Sequence, residues 1–159
     1  SAQLAWLQSH LWILSGLYGC ARPFHAVEPY RLEMGAKLAV DDACDLYAFW
    51  DDKLARAIAP AGSNTTIVNL ASVEYAKAVL PHLAGDITTV TCLFGEGVCN
   101  GKPIQRSTAS KKARGSMVRW MAENKLEDAS GLTAFDVGYR HAPELSNKNT
   151  LVFLNEQTL

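Results

Sequence analysis

Apolar residues along this chain alternate between helical and strand spacing, with polar punctuation between the runs. Leu4, Leu7 and Leu11 follow each other at helical intervals. Trp12-Ile13-Leu14 then forms a short apolar run that ends at Ser15-Gly16, the pattern of a buried strand. Residues 15–35 hold three Gly and two Pro among several charges, which predicts a long ordered loop with a short strand at Tyr30–Met34. Asp41 and Asp42 are candidate helix caps. Behind them Leu46, Phe49, Trp50, Leu54, Ala57 and Ile58 mark one helix through residue 59, closed by Pro60-Ala61-Gly62. Residues 65–70 read as a buried β-branched strand, and Ser72 is set to cap a helix over 73–80 that Pro81 stops. Residues 86–95 and 102–108 read as the two arms of a hairpin around the Gly-rich turn 95–101. A helix is expected over 109–124, an irregular stretch around 130–147, and a last strand over 150–155. This order implies a mixed α/β (α+β) fold, a central mixed sheet with helices packed on it. Pro and Gly are spread evenly, so 1–159 reads as a single domain.

Composition narrows the class. The 159 residues are 48% hydrophobic and 19% charged, the profile of a folded protein rather than of a disordered chain. No run approaches the length needed to span a bilayer, so no membrane partner is expected. The start carries no basic leader with an apolar core, which points to a cytoplasmic protein. Cys20, Cys44, Cys92 and Cys99 form no CxxC and no zinc spacing, so they read as reduced thiols, with a Cys92–Cys99 bridge as the minority reading. His10, His25, His82 and His141 are scattered, and neither GxSxG nor HExxH occurs. No metal and no cofactor is called for.

Charge distribution changes the picture more than net charge does. Lys and Arg number 15 against 16 acids, a net charge of −1. Yet residues 97–121 contain no acid and hold Lys102, Arg106, Lys111, Lys112, Arg114 and Arg119. On a helix, Lys112 and Arg119 fall within about 100° of Lys111, while Ala113, Met117, Trp120 and Met121 take the opposite arc and Arg114 flanks them. With a helix start at 109, Lys111, Lys112 and Arg114 crowd the first turn and a half, where the dipole already disfavours cations. Free backbone amides plus Lys and Arg suit a phosphate. The plainer alternative is a solvated charged face.

A second polar-dense segment precedes it. Arg22, His25, Glu28, Tyr30, Arg31, Glu33 and Lys37 fall within 16 residues. They suit either a phosphate-binding rim, with Glu33 orienting the cations, or an internal ion-pair network that pins the loop.

The segment ILSGLYGCARPFHAVEPYRLEMGAKL (13–38), with DLYAFW (45–50), VNLASVEYAKAV (68–79) and KKARGSMVRW (111–120), resembles the YaaA family of bacterial peroxide-stress proteins. Phe135, Gly138-Tyr139 and LVF at 151–153 fit the same order. The resemblance implies a cytosolic protein that limits peroxide damage by lowering free iron and that binds DNA in a positively charged cleft. Arg22, Arg31, Lys37, Lys111, Lys112, Arg114 and Arg119 match the family pattern and are the candidate phosphate-binding residues. Supporting roles fall to Ser15, Tyr18, Tyr30, Glu33, Asn69, Ser72, Glu74, Tyr75 and Lys77. The loop and the basic helix are expected to converge on one cleft holding DNA without sequence preference. The alternative is an enzyme acting on a phosphorylated or nucleotide-like small molecule there, with Glu33, Tyr30 or Tyr75 as acid or base. No residue is assigned as catalytic. The chain starts inside the family pattern and shows no counterpart of the family's helix-hairpin-helix, so it reads as a C-terminal portion. Trp6, Leu7 and Trp12 are then expected to be exposed at the broken edge and to favour self-association.

Overall fold

The computed structural model describes residues 1–158. They form two compact units: Ser1–Ile67 with Ala71–Thr88, and Val68–Leu70 with Thr89–Leu159. The chain crosses between them at a strand and not at a linker, so no shift in composition marks the boundary.

In the first unit, α1 (Ala2–His10) is capped by Ser1, whose Oγ accepts from Leu4 N–H. Trp6 is only 8% exposed and stacks on His10 at 4.3 Å between ring centroids. The expected exposure of Trp6 is therefore not found; Leu7 and Trp12 are half-buried, and Leu4 and Ile13 are the exposed apolar residues here. β1 (Ile13–Ser15) pairs antiparallel with β2 (Gly19–Ala21), a three-residue strand too short to show a period. No strand forms at Tyr30–Met34. Met34 is fully buried, packing with Leu46, Leu54 and Val79, and Gly35 N–H goes to the Glu74 carboxylate at 2.8 Å, so side-chain anchors replace a ladder.

The expected long helix is two short ones, α2 (Leu46–Trp50) and α3 (Lys53–Ile58). Asp51 breaks them at φ 44°, ψ −127°. The cap is Asp45, which accepts from Ala48 N–H at 2.8 Å; Asp41 instead takes φ 52° in a tight turn where Val40 and Ala43 exchange backbone bonds. β3 (Thr66–Asn69) leads to α4 (Val73–Ala76), shorter than expected. Past Ala76 the chain tightens into 3₁₀-type bonds and a turn at Leu80–His82 built around Pro81.

In the second unit, β4 (Thr88–Gly95) is the long central strand. β5 (Val98–Cys99) and β6 (Lys102–Pro103) form a separate hairpin. Asn100 and Gly101, at φ 50° and 72°, are its turn, and two positive φ values match the twist of the strands. Glu96 N–H to Ile104 O and Ile104 N–H to Gly97 O, both 2.8 Å, extend this pairing to 96–104, and β4 pairs elsewhere. α5 (Ser107–Asn124) starts two residues earlier than expected. β7 (Tyr139–His141) is a further short strand, and β8 (Thr150–Asn155) closes the sheet. The sheet order is β3-β4-β8-β7, with β8 parallel to β4 and antiparallel to β7, a mixed sheet in an α+β fold. Phe94, Phe135 and Phe153 are fully buried together, their rings 5.5 to 6.1 Å apart. All four cysteines are free, so no Cys92–Cys99 bridge forms.

Candidate functional site

In the first unit the turn after β1 organises a polar cluster. Gly16 is obligatory there: a Cβ would stand 2.7 Å from the Leu32 carbonyl oxygen. Its own carbonyl accepts from Trp50 Nε1 at 3.0 Å. Ser15, buried, accepts from Tyr18 N–H at 2.9 Å and shares a short hydrogen bond with Tyr30 Oη. Tyr18 Oη accepts from Glu28 N–H at 2.9 Å, and the rings of Tyr18 and Tyr30 meet edge-on at 5.6 Å. The loop expected from sequence is therefore pinned by hydroxyls rather than by ion pairs.

Glu74 does two jobs from α4. Its carboxylate holds Gly35 N–H, and its backbone carbonyl accepts from Tyr47 Oη at 3.0 Å. Lys77 Nζ lies 4.6 Å over the Tyr47 ring. Burial raises the Tyr47 hydroxyl above its ordinary pKa, helped by the charges of Glu74 and Asp45. Burial also raises Tyr75, with the charges of Glu74, Tyr30 and Glu33 pushing the same way and a Met34 backbone hydrogen bond opposing them. Near neutral pH both phenols stay protonated, so they donate hydrogen bonds and are poor bases. Ser72 opens α4 without a side-chain cap bond.

The cations of this loop divide. Arg22 Nη1 donates to the carbonyls of Ser9 at 3.0 Å and Leu11 at 3.4 Å, at the C-terminus of α1. Its guanidinium lies 3.7 Å over the Trp12 ring. Arg31 and Lys37 are exposed, as is Glu33.

In the second unit α5 presents the other cations. Lys111, Lys112 and Arg119 are exposed, whereas Ala113, Met117 and Met121 are buried. Because the helix starts at Ser107, Lys111 is its fifth residue and lies beyond the first turn, where the dipole acts most. The N-cap is Arg106, whose side chain makes no cap bond. Arg119 Nε donates to Glu123 at 2.7 Å, so this cation is matched within the helix. Arg114 is half-buried and burial lowers its pKa. Among the described residues the buried side-chain atoms without a hydrogen-bond partner are Arg114 Nε, Ser110 Oγ and His141 Nε2.

A half-buried carboxylate that no sequence motif marks is Glu96, just past β4. It accepts from Tyr139 Oη at 2.6 Å and from Asn155 Nδ2 at 2.9 Å. Burial and the Glu96 carboxylate push Tyr139 up to about 12. Glu96 and Asn155 stand at the carboxyl ends of the parallel strands β4 and β8, the edge where open α/β sheets place ligands. No spacing in sequence links residues 96, 139 and 155; only the strand register brings them together. Asn69, at the end of β3, is buried and donates to Thr91 Oγ1 at 3.2 Å. Among the described residues no group of three or more His, Cys, Asp or Glu side chains could hold a metal ion. No described helix is long and apolar enough to cross a membrane.

Comparison with known proteins decides the family. Residues 1–145 match the family model described as "Peroxide stress protein YaaA". The chain belongs to the YaaA family of peroxide stress proteins. A UPF0246 protein of Pediococcus pentosaceus is 45% identical over 156 residues, 98% of this chain and 61% of that protein. A UPF0246 protein of Laribacter hongkongensis is 47% identical over 160 residues, again 98% of this chain and 61% of that protein. One from Lactiplantibacillus plantarum is 42% identical over 152 residues. The chain thus spans about 60% of the length of these YaaA-family relatives.

Of the YaaA-pattern residues, Ser15, Tyr18, Tyr30, Glu74, Tyr75 and Lys77 fall in the first unit's hydroxyl and carboxylate network. Lys111, Lys112, Arg114 and Arg119 fall on α5.

Proposed function

We propose that this chain supplies a nucleic-acid-binding surface of a YaaA-type peroxide stress protein, one that acts in the bacterial cytoplasm to limit damage from iron and peroxide. The observation that carries the reading is α5. Its first sixteen residues hold no acid, and Lys111 and Lys112 are exposed on it. In the first unit, taken by itself, Arg31 and Lys37 are exposed cations on a loop held by the Ser15–Tyr30 hydrogen bond and by Glu74. The α5 face offers Lys and Arg and lacks the Asn and Gln side chains that read adenine edges, so its contacts are with phosphates and its binding is independent of sequence. The enzyme reading, with Glu33, Tyr30 or Tyr75 as acid or base, has less support: burial raises the Tyr75 hydroxyl, which stays protonated near neutral pH and is not available as a base.

The test is fluorescence anisotropy with labelled duplexes of unrelated sequence over a range of salt. Binding of similar strength to each duplex, falling steeply with salt, supports the reading. Binding that follows sequence, or that ignores salt, counts against it.

A further inference from the structure

We propose that Ser110 and Arg114, one turn apart on α5, form a subsite for a single terminal phosphate, a phosphomonoester dianion. This deepens the phosphate-binding reading of α5 and rests on it.

Two polar side chains of α5 each hold a buried atom that has no hydrogen-bond partner. Ser110 is 3% exposed, and its Oγ has no partner. A helical serine ordinarily donates to the carbonyl four residues back. Ser9 does so, reaching Ala5 O at 3.0 Å. Ser110 leaves the Arg106 carbonyl to its own backbone amide at 2.8 Å and keeps its hydroxyl free. Arg114 follows at i+4 and so shares its face. Its Nε is buried and likewise unbonded. Desolvation alone lowers its pKa, with no carboxylate acting on it. A guanidinium cannot shed its charge as a lysine can, so a half-buried one without a counterion is costly to keep. The pair offers an anion a hydroxyl and a guanidinium on one face of the helix.

The geometry also selects the kind of anion. A phosphodiester inside a strand has two non-bridging oxygens and is flanked by chain on both sides, whereas Ser110 is only 3% exposed. A terminal phosphate is narrow, has three free oxygens, and can accept from the hydroxyl and the guanidinium fork together. Side chains on a helix lean toward its N-terminus. Both groups therefore lean toward the end where Arg106 leaves the first amides without a side-chain cap. Exposed Lys111 and Lys112 beside them draw anions in.

The experiment uses two single-stranded oligonucleotides of one sequence, one with a 5′-phosphate and one with a 5′-hydroxyl, and inorganic phosphate alone. Anisotropy gives the affinities, and thermal melts report inorganic phosphate binding. The phosphorylated strand should bind about ten- to a hundredfold more tightly, the gain expected of hydrogen bonds to a charged group. Ser110→Ala should abolish most of that preference while leaving the affinity for the hydroxyl strand unchanged. It removes an unbonded hydroxyl, so the variant should fold as well as the parent. Arg114→Lys should reduce the preference in the same direction. Phosphate stabilisation of the parent but not of Ser110→Ala supports the subsite even if neither strand binds, which would defeat only the nucleic-acid reading. Equal affinities for the two strands, with a melt that phosphate does not shift, overturn the subsite and leave duplex binding by Lys111 and Lys112 untouched.

Discussion

Arg22 illustrates how one side chain can serve structure from within a polar-dense loop. Its guanidinium closes the C-terminus of α1 and stacks on Trp12. Arg22→Ala should cost about 1–2 kcal/mol in urea denaturation, from the lost carbonyl bonds and cation–π contact. Gly16→Ala should cost about 1–3 kcal/mol, because the new methyl meets the Leu32 carbonyl, which is backbone and cannot turn aside. Tyr139 makes a pH prediction. Its folded-state pKa is raised to about 12, so the folded chain holds the proton more tightly than the unfolded one. The stability this brings is complete below about pH 10, the ordinary phenol value, and is lost as pH rises through about 12. Melts of parent and Tyr139→Phe across that window should show the parent falling more steeply. Parallel curves would remove the Glu96 bond from the account. Residue chemistry was partly legible in the sequence. Tyr30 stood out in the polar-dense loop, while Ser15 and Glu74 entered through the family resemblance; in the structure each makes a side-chain hydrogen bond. Glu96 did not stand out, because its partners lie 43 and 59 residues away.

At the scale of elements, α5 was the most legible, since eighteen residues give several turns of helical spacing. β2 and β7 were not, being three residues each. The split between α2 and α3 was hidden because both halves keep one apolar face, and only the backbone at Asp51 separates them. The end of α5 carries a prediction. Lys125 sits in the left-handed region at φ 48°, Leu126 N–H reaches back to Met121 O at 3.0 Å, and Lys125 N–H bonds to Ala122 O at 3.4 Å. This Schellman ending favours glycine at that position. Lys125→Gly should raise stability by about 1 kcal/mol in denaturant titration, since glycine has no left-handed penalty. A loss of stability would mean that the lysine stem packs usefully there.

At the scale of the molecule, fold class followed from the alternation of helical and strand patterns, and the mixed sheet bears it out. The two units were not legible, because Val68–Leu70, the end of β3 and the residue after it, belong to the second while their flanks belong to the first. Pairing was equally hidden. β4 joins β8, more than fifty residues later, where local turn chemistry had suggested a partner just after it. The proposed binding of nucleic acid by phosphate contacts from α5 belongs to this scale. The direct measurement is the slope of log K against log salt on duplex DNA, for the parent and for Lys111→Ala/Lys112→Ala together. Each phosphate neutralised contributes about −0.9. The double variant should therefore have a slope shallower by about 1.8, with an unchanged melting temperature, because both lysines lie on solvent beyond the first turn. A slope that stays the same would contradict the account.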